Sequence, residues 1–499
     1  MTELQAWSMK PLSERLEWVA SFRRAIASYE RELCALMEQE VGKPRLEALT
    51  SDIAPVLAAC RYVEQNAPRL FRPRRLGGGP LWLGKMNVRV HREPLGDMAI
   101  IATWNYPVGL LGVQLVQALA AGNCVTVKPS ERAPRTQTLL LGLAQACGLP
   151  AGALRWTHAS RQAGEQLLFS RRFDHVVFTG STAVGRDIAS ILAPNMTGLT
   201  LELSGRDSAF VLGDADAKFA AECLWAGVNL NAGQTCMGPR RALVHRSVYQ
   251  AFCAEISQLA SGAGTRRMID QAAAMKCYGL ATQAIAEGAK DAASEVRGGE
   301  QPPVPAPIDG FWRPTVLLDC KQDSDIVRGE HFGPLLAVVP IDSLEQAMVI
   351  HDRCDQHLTA SIFTRDAQGA LALAHRLNAT NITINDLIVP TAHPKASIGG
   401  RGESGLGVSR GEAGLLAMTR PVYVSVSKGL IRRSAMKPSK MVIGMLASFI
   451  RWRYGGSDQL RHAMSGILPG ALALFGGDDR TRQMEPDIPL AKVDEKKTA

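Results

Sequence analysis

One cysteine is set up for nucleophilic chemistry in the stretch Asn231-Ala232-Gly233-Gln234-Thr235-Cys236. Gly233 precedes it and Gly238-Pro239 follows, which places the thiol where the backbone bends rather than inside a regular element. In such a turn both the sulfur and its own backbone N–H can face a substrate. A cysteine among ten is more often a small buried hydrophobe, and reactivity needs a tuned pKa, so neighbouring groups must argue for it. Two do. Leu201-Glu202-Leu203-Ser204-Gly205 holds a carboxylate between apolar neighbours, ahead of a flexible glycine. Thr103-Trp104-Asn105-Tyr106-Pro107 fixes a side-chain amide in an aromatic turn stopped by proline. Nucleophile, base and oxyanion donor are the parts that acyl transfer requires.

A second group of motifs could hold a ligand. Gly180-Ser181-Thr182-Ala183-Val184-Gly185 follows an apolar strand and opens a helix, so its backbone N–H groups could meet a pyrophosphate. Glycine turns after strands are common, and no GxGxxG fingerprint accompanies this one. Lys128-Pro129-Ser130-Glu131 reads by itself as a solvated ion pair after a proline turn. In Glu330-His331-Phe332-Gly333-Pro334, the aromatic reads equally well as core packing. His393 reads as structural.

In chain order these six motifs resemble those of the aldehyde dehydrogenase superfamily, from about Leu16 to about Val426, and the Thr-Trp-Asn-Tyr-Pro wording is most similar to the class 3, fatty-aldehyde branch. Glu202 precedes Cys236 by 34 residues, the separation of that family's base and nucleophile. The resemblance implies Cys236 as nucleophile, Glu202 as activator of a hydrolytic water and Asn105 as oxyanion donor. It implies a nicotinamide cofactor, with Gly180 and Ser181 at the phosphates and Lys128 and Glu131 at the adenosine ribose. Glu330 would hold the nicotinamide ribose, Phe332 would pack beside the ring, and Trp104 and Gly205 would complete the set. A carboxylate at Glu131 suits a free ribose hydroxyl and repels a 2′-phosphate, so NAD is favoured, with NADP possible. No metal is expected. Branches that hand the acyl group to coenzyme A generally lack the glutamate, so Glu202 points to hydrolysis. The implied reaction is oxidation of a hydrophobic aldehyde to its acid. A small polar semialdehyde as substrate, or a silent binding relative, are the alternatives; the latter would be expected to lose Cys236, Glu202 or Asn105. Two departures stand out: Ser204 replaces a glycine, and Ser397-Ile398-Gly399-Gly400 replaces Pro-Phe-Gly-Gly, which removes an aromatic near the substrate.

These residues need a scaffold. At 499 residues the chain should divide into two or more domains. Hydrophobic residues at 46% and charged residues at 21% describe a globular protein rather than a disordered or membrane-spanning one. Apolar runs at 98–102, 124–127 and 175–178 read as buried parallel strands, alternating with helical spacing at 108–121 and 135–147. This predicts an α/β fold with a doubly wound, Rossmann-like cofactor sheet and ligands at the carboxyl ends of its strands. A second α/β region begins near Ala209 and contains Cys236, 336–339 and 360–363. The expected division is 1–81 with 98–206 for the cofactor, 207–395 for catalysis, 82–97 with 396–428 as bridging strands, and 429–499 as an extension. Alternation at 86–91 and 422–426 reads as exposed strands; in the family such strands pair subunits, which implies a homodimer.

The cysteines lack a CxxC pair or zinc spacing, and no signal peptide is visible: Leu12, Leu16, Val19, Phe22 and Ile26 recur as an amphipathic helix. A reducing, cytoplasmic setting is expected. The net charge of +9 does not come from arginine runs interleaved with aromatics, so nucleic acid is not expected. Much of it lies in the extension, where Lys428, Arg432, Arg433, Lys437, Lys440, Arg451 and Arg453 surround the apolar run 441–450. Spanning a bilayer takes about 20 apolar residues, so this run predicts either a helix lying at the inner face of the membrane or one packed on protein. A second apolar stretch covers 467–475.

Overall fold

A computed structural model describes residues 3–77, 86–170, 172–296, 304–427 and 440–455. The sequence readings at 78–85, 428–439 (with Lys428, Arg432, Arg433 and Lys437) and 467–475 lie outside the described residues. The chain separates into a large unit, 1–75 with 89–424, and a smaller one, 76–88 with 425–499.

The large unit contains two mixed sheets. In the first, Gly405–Leu406, Gly198–Glu202, His175–Thr179, Asp97–Ile101, Cys124–Lys128 and Leu154–Trp156 lie side by side in that order. All pair in parallel except Gly405–Leu406, which runs antiparallel to Gly198–Glu202. The apolar runs read from the sequence are thus strands, and they are buried because helices cover both faces. The helix Gly109–Ala121 is buried along its whole length, which explains its nearly uniform apolar composition. With Leu12–Ser28, Ala54–Leu70 and Pro134–Ala146 it forms one core on one face. Leu167, Leu168, Ile188 and Leu192 cover the other.

The second sheet orders Lys290–Asp291, Thr315–Leu318, Leu335–Ile341, Pro239–His245, Asp207–Val211, Thr359–Phe363 and Asn381–Ile384, parallel except at the first pair. In the first sheet Asp97–Ile101 lies between Cys124–Lys128, the next strand in the chain, on one side and His175–Thr179 on the other. The first sheet therefore has a switch point at the carboxyl ends of Asp97–Ile101 and His175–Thr179, where open α/β sheets bind ligands. Asn105 and Ser181 follow those two strand ends.

Strands Arg74–Leu76, Met86–Pro94 and Thr419–Ser427 form a three-stranded sheet with Thr419–Ser427 at one edge. On that edge strand Tyr423, Val424 and Val426 are exposed. In the smaller unit, Lys440–Tyr454 is one helix.

Candidate active site

The loop carrying Cys236 is built against steric preference. Asn231, Ala232 and Gly233 have φ of 54°, 52° and 67° in a short turn before the cysteine. Left-handed backbone in two non-glycine residues persists only where surroundings hold it. Asn231 donates its N–H to the Glu47 carboxylate at 2.7 Å. The buried Arg240 guanidinium donates to the carbonyls of Gly233 at 2.9 Å and Thr235 at 2.6 Å. Only glycine fits at 233, because a Cβ there would lie 2.3 Å from the Gly333 carbonyl oxygen.

Asn105 is buried after the strand Asp97–Ile101 and touches this loop directly. Its Nδ2 donates to the Gln234 carbonyl at 3.1 Å, and the Thr103 hydroxyl donates to its Oδ1 at 3.1 Å. Asn231 Nδ2 donates back to the Asn105 carbonyl at 2.9 Å. Next to them the Tyr106 and Thr235 hydroxyls share a bond of 2.6 Å.

Glu202 ends the strand Gly198–Glu202 and accepts from Gln114 Nε2 at 3.3 Å, while the same Gln114 amide donates to Thr179 Oγ1 at 3.0 Å. Three residues on, the Gly205 N–H donates to the Cys236 carbonyl at 3.2 Å. The loops of Asn105, Glu202 and Cys236 are thus laced together by direct hydrogen bonds. The half-buried Cys236 packs with Met237, Leu358 and Ile398, an apolar surround. Burial pushes its thiol up to about 12, reinforced by the negative charges of Glu202 and Asp207 and opposed by Arg410 and Arg240. Burial also raises the Asp207 carboxyl to about 7, against hydrogen bonds from Thr359 and the charges of Arg240 and Arg241.

Of the motifs expected to meet a cofactor, Gly180-Ser181 follows the strand His175–Thr179 and Lys128 ends the strand Cys124–Lys128, near the switch point. Ser181 caps the helix Thr182–Leu192, accepting from Val184 N. A Cβ at Gly180 would crowd the Phe178 ring and one at Gly185 would crowd the Leu203 side chain, so both glycines let this turn pack closely on its neighbours. Lys128, nearly buried, pairs with the more exposed Glu131. Trp104 and Phe332 meet edge to face at 5.9 Å between ring centroids, and the Arg240 guanidinium lies 5.3 Å from the Phe332 ring. Glu330, before Phe332, is partly buried. A helix start with its amide donors, a carboxylate beside a lysine and an aromatic wall fit a dinucleotide. Among the described residues no cluster of histidine, cysteine or carboxylate could hold a metal ion.

Residue-by-residue sequence reasoning does not single out Gln114, Arg240 or Arg410. Gln114 carries a faint signal, one of two glutamines inside a helix of otherwise apolar residues and glycines.

The aldehyde dehydrogenase family model matches residues 2–424, and the chain belongs to that family. It is 32% identical over 438 residues to 4,4'-diapolycopene aldehyde oxidase of Methylomonas sp, covering 86% of this chain and 80% of that protein. It is 29% identical over 411 residues to aldehyde dehydrogenase family 3 member A2 of Mus musculus, covering 81% and 82%. Among solved structures it is similar to a Mycobacterium tuberculosis aldehyde dehydrogenase complexed with NAD+, with a TM-score of 0.78 and 27% identity over 85% of this chain and 88% of that one.

Proposed function

We propose that this enzyme oxidises a hydrophobic aldehyde (medium- or long-chain, aromatic or isoprenoid) to its carboxylic acid, with NAD, or NADP, as acceptor. The observation that carries the reading is the hydrogen-bonded meeting of the Asn105, Glu202 and Cys236 loops beside the switch point of the first sheet. Cys236 sulfur adds to the aldehyde carbon and leaves the carbonyl oxygen as an oxyanion. Asn105 spends one amide hydrogen on Gln234 and offers the other to that oxygen, together with the Cys236 backbone N–H. The cofactor, when bound, supplies a hydride acceptor and a positive charge near the sulfur. Glu202, oriented by Gln114, activates a water that hydrolyses the Cys236 thioester and releases the acid. Gly180, Ser181, Lys128, Glu131, Glu330, Phe332, Trp104 and Gly205 are the proposed cofactor residues.

Hydrophobicity of the substrate is supported by Met237, Leu358 and Ile398 around the thiol. Ile398 presents an aliphatic surface to the thiol. The same polarity supports membrane contact. In the helix Lys440–Tyr454, Ile443, Leu446, Ile450 and Tyr454 recur on one face and are exposed, with Arg451 and Arg453 beside them. Among the described residues no helix is long and apolar enough to cross a membrane, so the proposal is a helix lying at the interface. The exposed edge at Tyr423, Val424 and Val426 supports a homodimer formed by strand pairing.

The deciding experiment is a panel of aliphatic, aromatic and isoprenoid aldehydes with NAD or NADP, followed by reduced-cofactor fluorescence. Production by wild type and none by Cys236→Ala is expected. No production from any aldehyde, or equal production by both proteins, rejects the function. Flotation with anionic liposomes, full-length protein against a chain truncated after Lys428, tests the membrane contact; equal recovery in the unbound fraction rejects it. Light scattering that gives a monomer at micromolar concentration rejects the dimer.

A further inference from the structure

A buried ion pair lies beneath the loop that carries Asn105, and none of the catalytic roles above uses it. Lys43 and Asp52 are both fully buried, with Lys43 Nζ 2.5 Å from Asp52 Oδ2. The same ammonium donates to the Asn105 carbonyl at 2.7 Å and lies 3.7 Å from the centre of the Tyr106 ring. The other Asp52 oxygen accepts the N–H groups of Val108 at 3.1 Å and Gly109 at 2.8 Å, the residues that open the helix Gly109–Ala121. One cation therefore holds the start of the 105–109 segment, and one carboxylate holds its end.

Both partners arrive through unusual backbone. Lys43 follows Gly42, whose φ of 71° ends the helix Glu30–Val41. Asp52 sits in a π-helical turn, Leu49–Ile53, inserted between Arg45–Ala48 and Ala54–Leu70. Such turns are rare and recur at functional sites. A buried ion pair is a weak source of stability, because desolvation offsets its Coulomb attraction, but it specifies geometry sharply. Here the geometry it specifies is that of the Asn105 backbone.

We propose that Lys43 and Asp52 are positioning residues for thiol addition: clamping the Asn105 carbonyl and the Val108–Gly109 amides, they aim the Asn105 side-chain amide at the oxyanion. This rests on the reading of Asn105 as oxyanion donor. Neither residue touches substrate or cofactor; they act through the loop.

The test is a double-mutant cycle on the full-length enzyme. Wild type, Lys43→Gln, Asn105→Ala and the double variant are compared by the rate of the pre-steady-state burst of reduced cofactor, by the KM for NAD and by melting temperature. Asn105→Ala should slow the burst roughly 100-fold or more. Lys43→Gln should slow it roughly 100-fold, the cost of misplacing a catalytic group by about 1 Å, with the KM for NAD unchanged. In the Asn105→Ala background the same substitution should cost less than about threefold, while the fall in melting temperature stays equal in both backgrounds. An equal loss of rate in both backgrounds, or no loss from Lys43→Gln, overturns the positioning role while Asn105 stands. A normal burst from Asn105→Ala overturns the donor reading itself. Should Lys43→Gln not fold, Asp52→Asn replaces it in the cycle with the same outcomes, since it removes the charge but keeps an oxygen for the two amides.

Discussion

In the cofactor-free enzyme Cys236 should be a slow nucleophile, and its reactivity should appear when the cofactor binds. The rise of its thiol from 9.0 to about 12 has burial as its largest cause, followed by Glu202 and Asp207. A thiolate, not a thiol, attacks electrophiles; at pH 8 this rise makes the thiolate fraction roughly a thousandfold smaller than for an ordinary cysteine. Arg410 and Arg240 pull the other way but do not win. A nicotinium charge beside the sulfur would add a further opposing effect, since an opposite charge close by favours the ionised form. The assay is iodoacetamide labelling of Cys236, resolved from the other nine cysteines by peptide mass spectrometry, across pH and with or without NAD. Labelling without NAD should be slow and still rising above pH 9; saturating NAD should accelerate it by at least about tenfold. Glu202→Gln should accelerate it without NAD, because it removes the largest of the charges that oppose ionisation. A cofactor-free labelling rate equal to that of a small thiol, with a midpoint near 8.5, would refute the reasoning. The same shift has a stability sign. Folding favours the protonated thiol, so this contribution is present below pH 9 and is lost as pH rises from 9 toward 12.

Gly233→Ala places a Cβ 2.3 Å from the Gly333 oxygen at a φ of 67°. It should cost about 2–4 kcal/mol by urea unfolding, from left-handed strain plus overpacking, and should slow the burst; an unchanged unfolding midpoint would contradict this. Asp207 has its carboxyl raised from 3.8 to about 7, so the folded state prefers it protonated, and the contribution present below pH 3.8 is lost as pH rises to about 7. Asp207→Asn should therefore raise the melting temperature at pH 8 relative to wild type and leave it unchanged near pH 4; the opposite ordering would exclude a buried, strained carboxylate. Glu131→Gln removes the charge paired with Lys128, and should raise kcat/KM for NADP relative to NAD by roughly tenfold or more. An unchanged ratio would remove Glu131 from the ribose site.

The sequence alone determined the fold class and the neighbourhoods of the chemistry. Apolar runs such as 98–102 and 175–178 are legible because a strand covered by helices on both faces must be apolar throughout. The turn at Gly233 is legible because few residue types tolerate its left-handed backbone, and the one at Gly180-Ser181 because a glycine and a helix-capping serine follow an apolar strand. Even the Lys440–Tyr454 helix is announced by its apolar run. What joins these pieces was left to the tertiary structure. Lys43 and Asp52 look in sequence like any surface pair, and only packing shows them fully buried against Asn105. Gln114 reaches Glu202 across 88 residues, and Asn105 reaches Gln234 across 129. Arg240 and Arg410 influence the Cys236 thiol only because the fold brings their charges near it. Secondary structure follows from interactions within a few residues, which leave a periodic trace in the chain. Side-chain bonds across such separations have no period and leave none, and they decide whether a cysteine in a turn can ionise, be approached and be resolved.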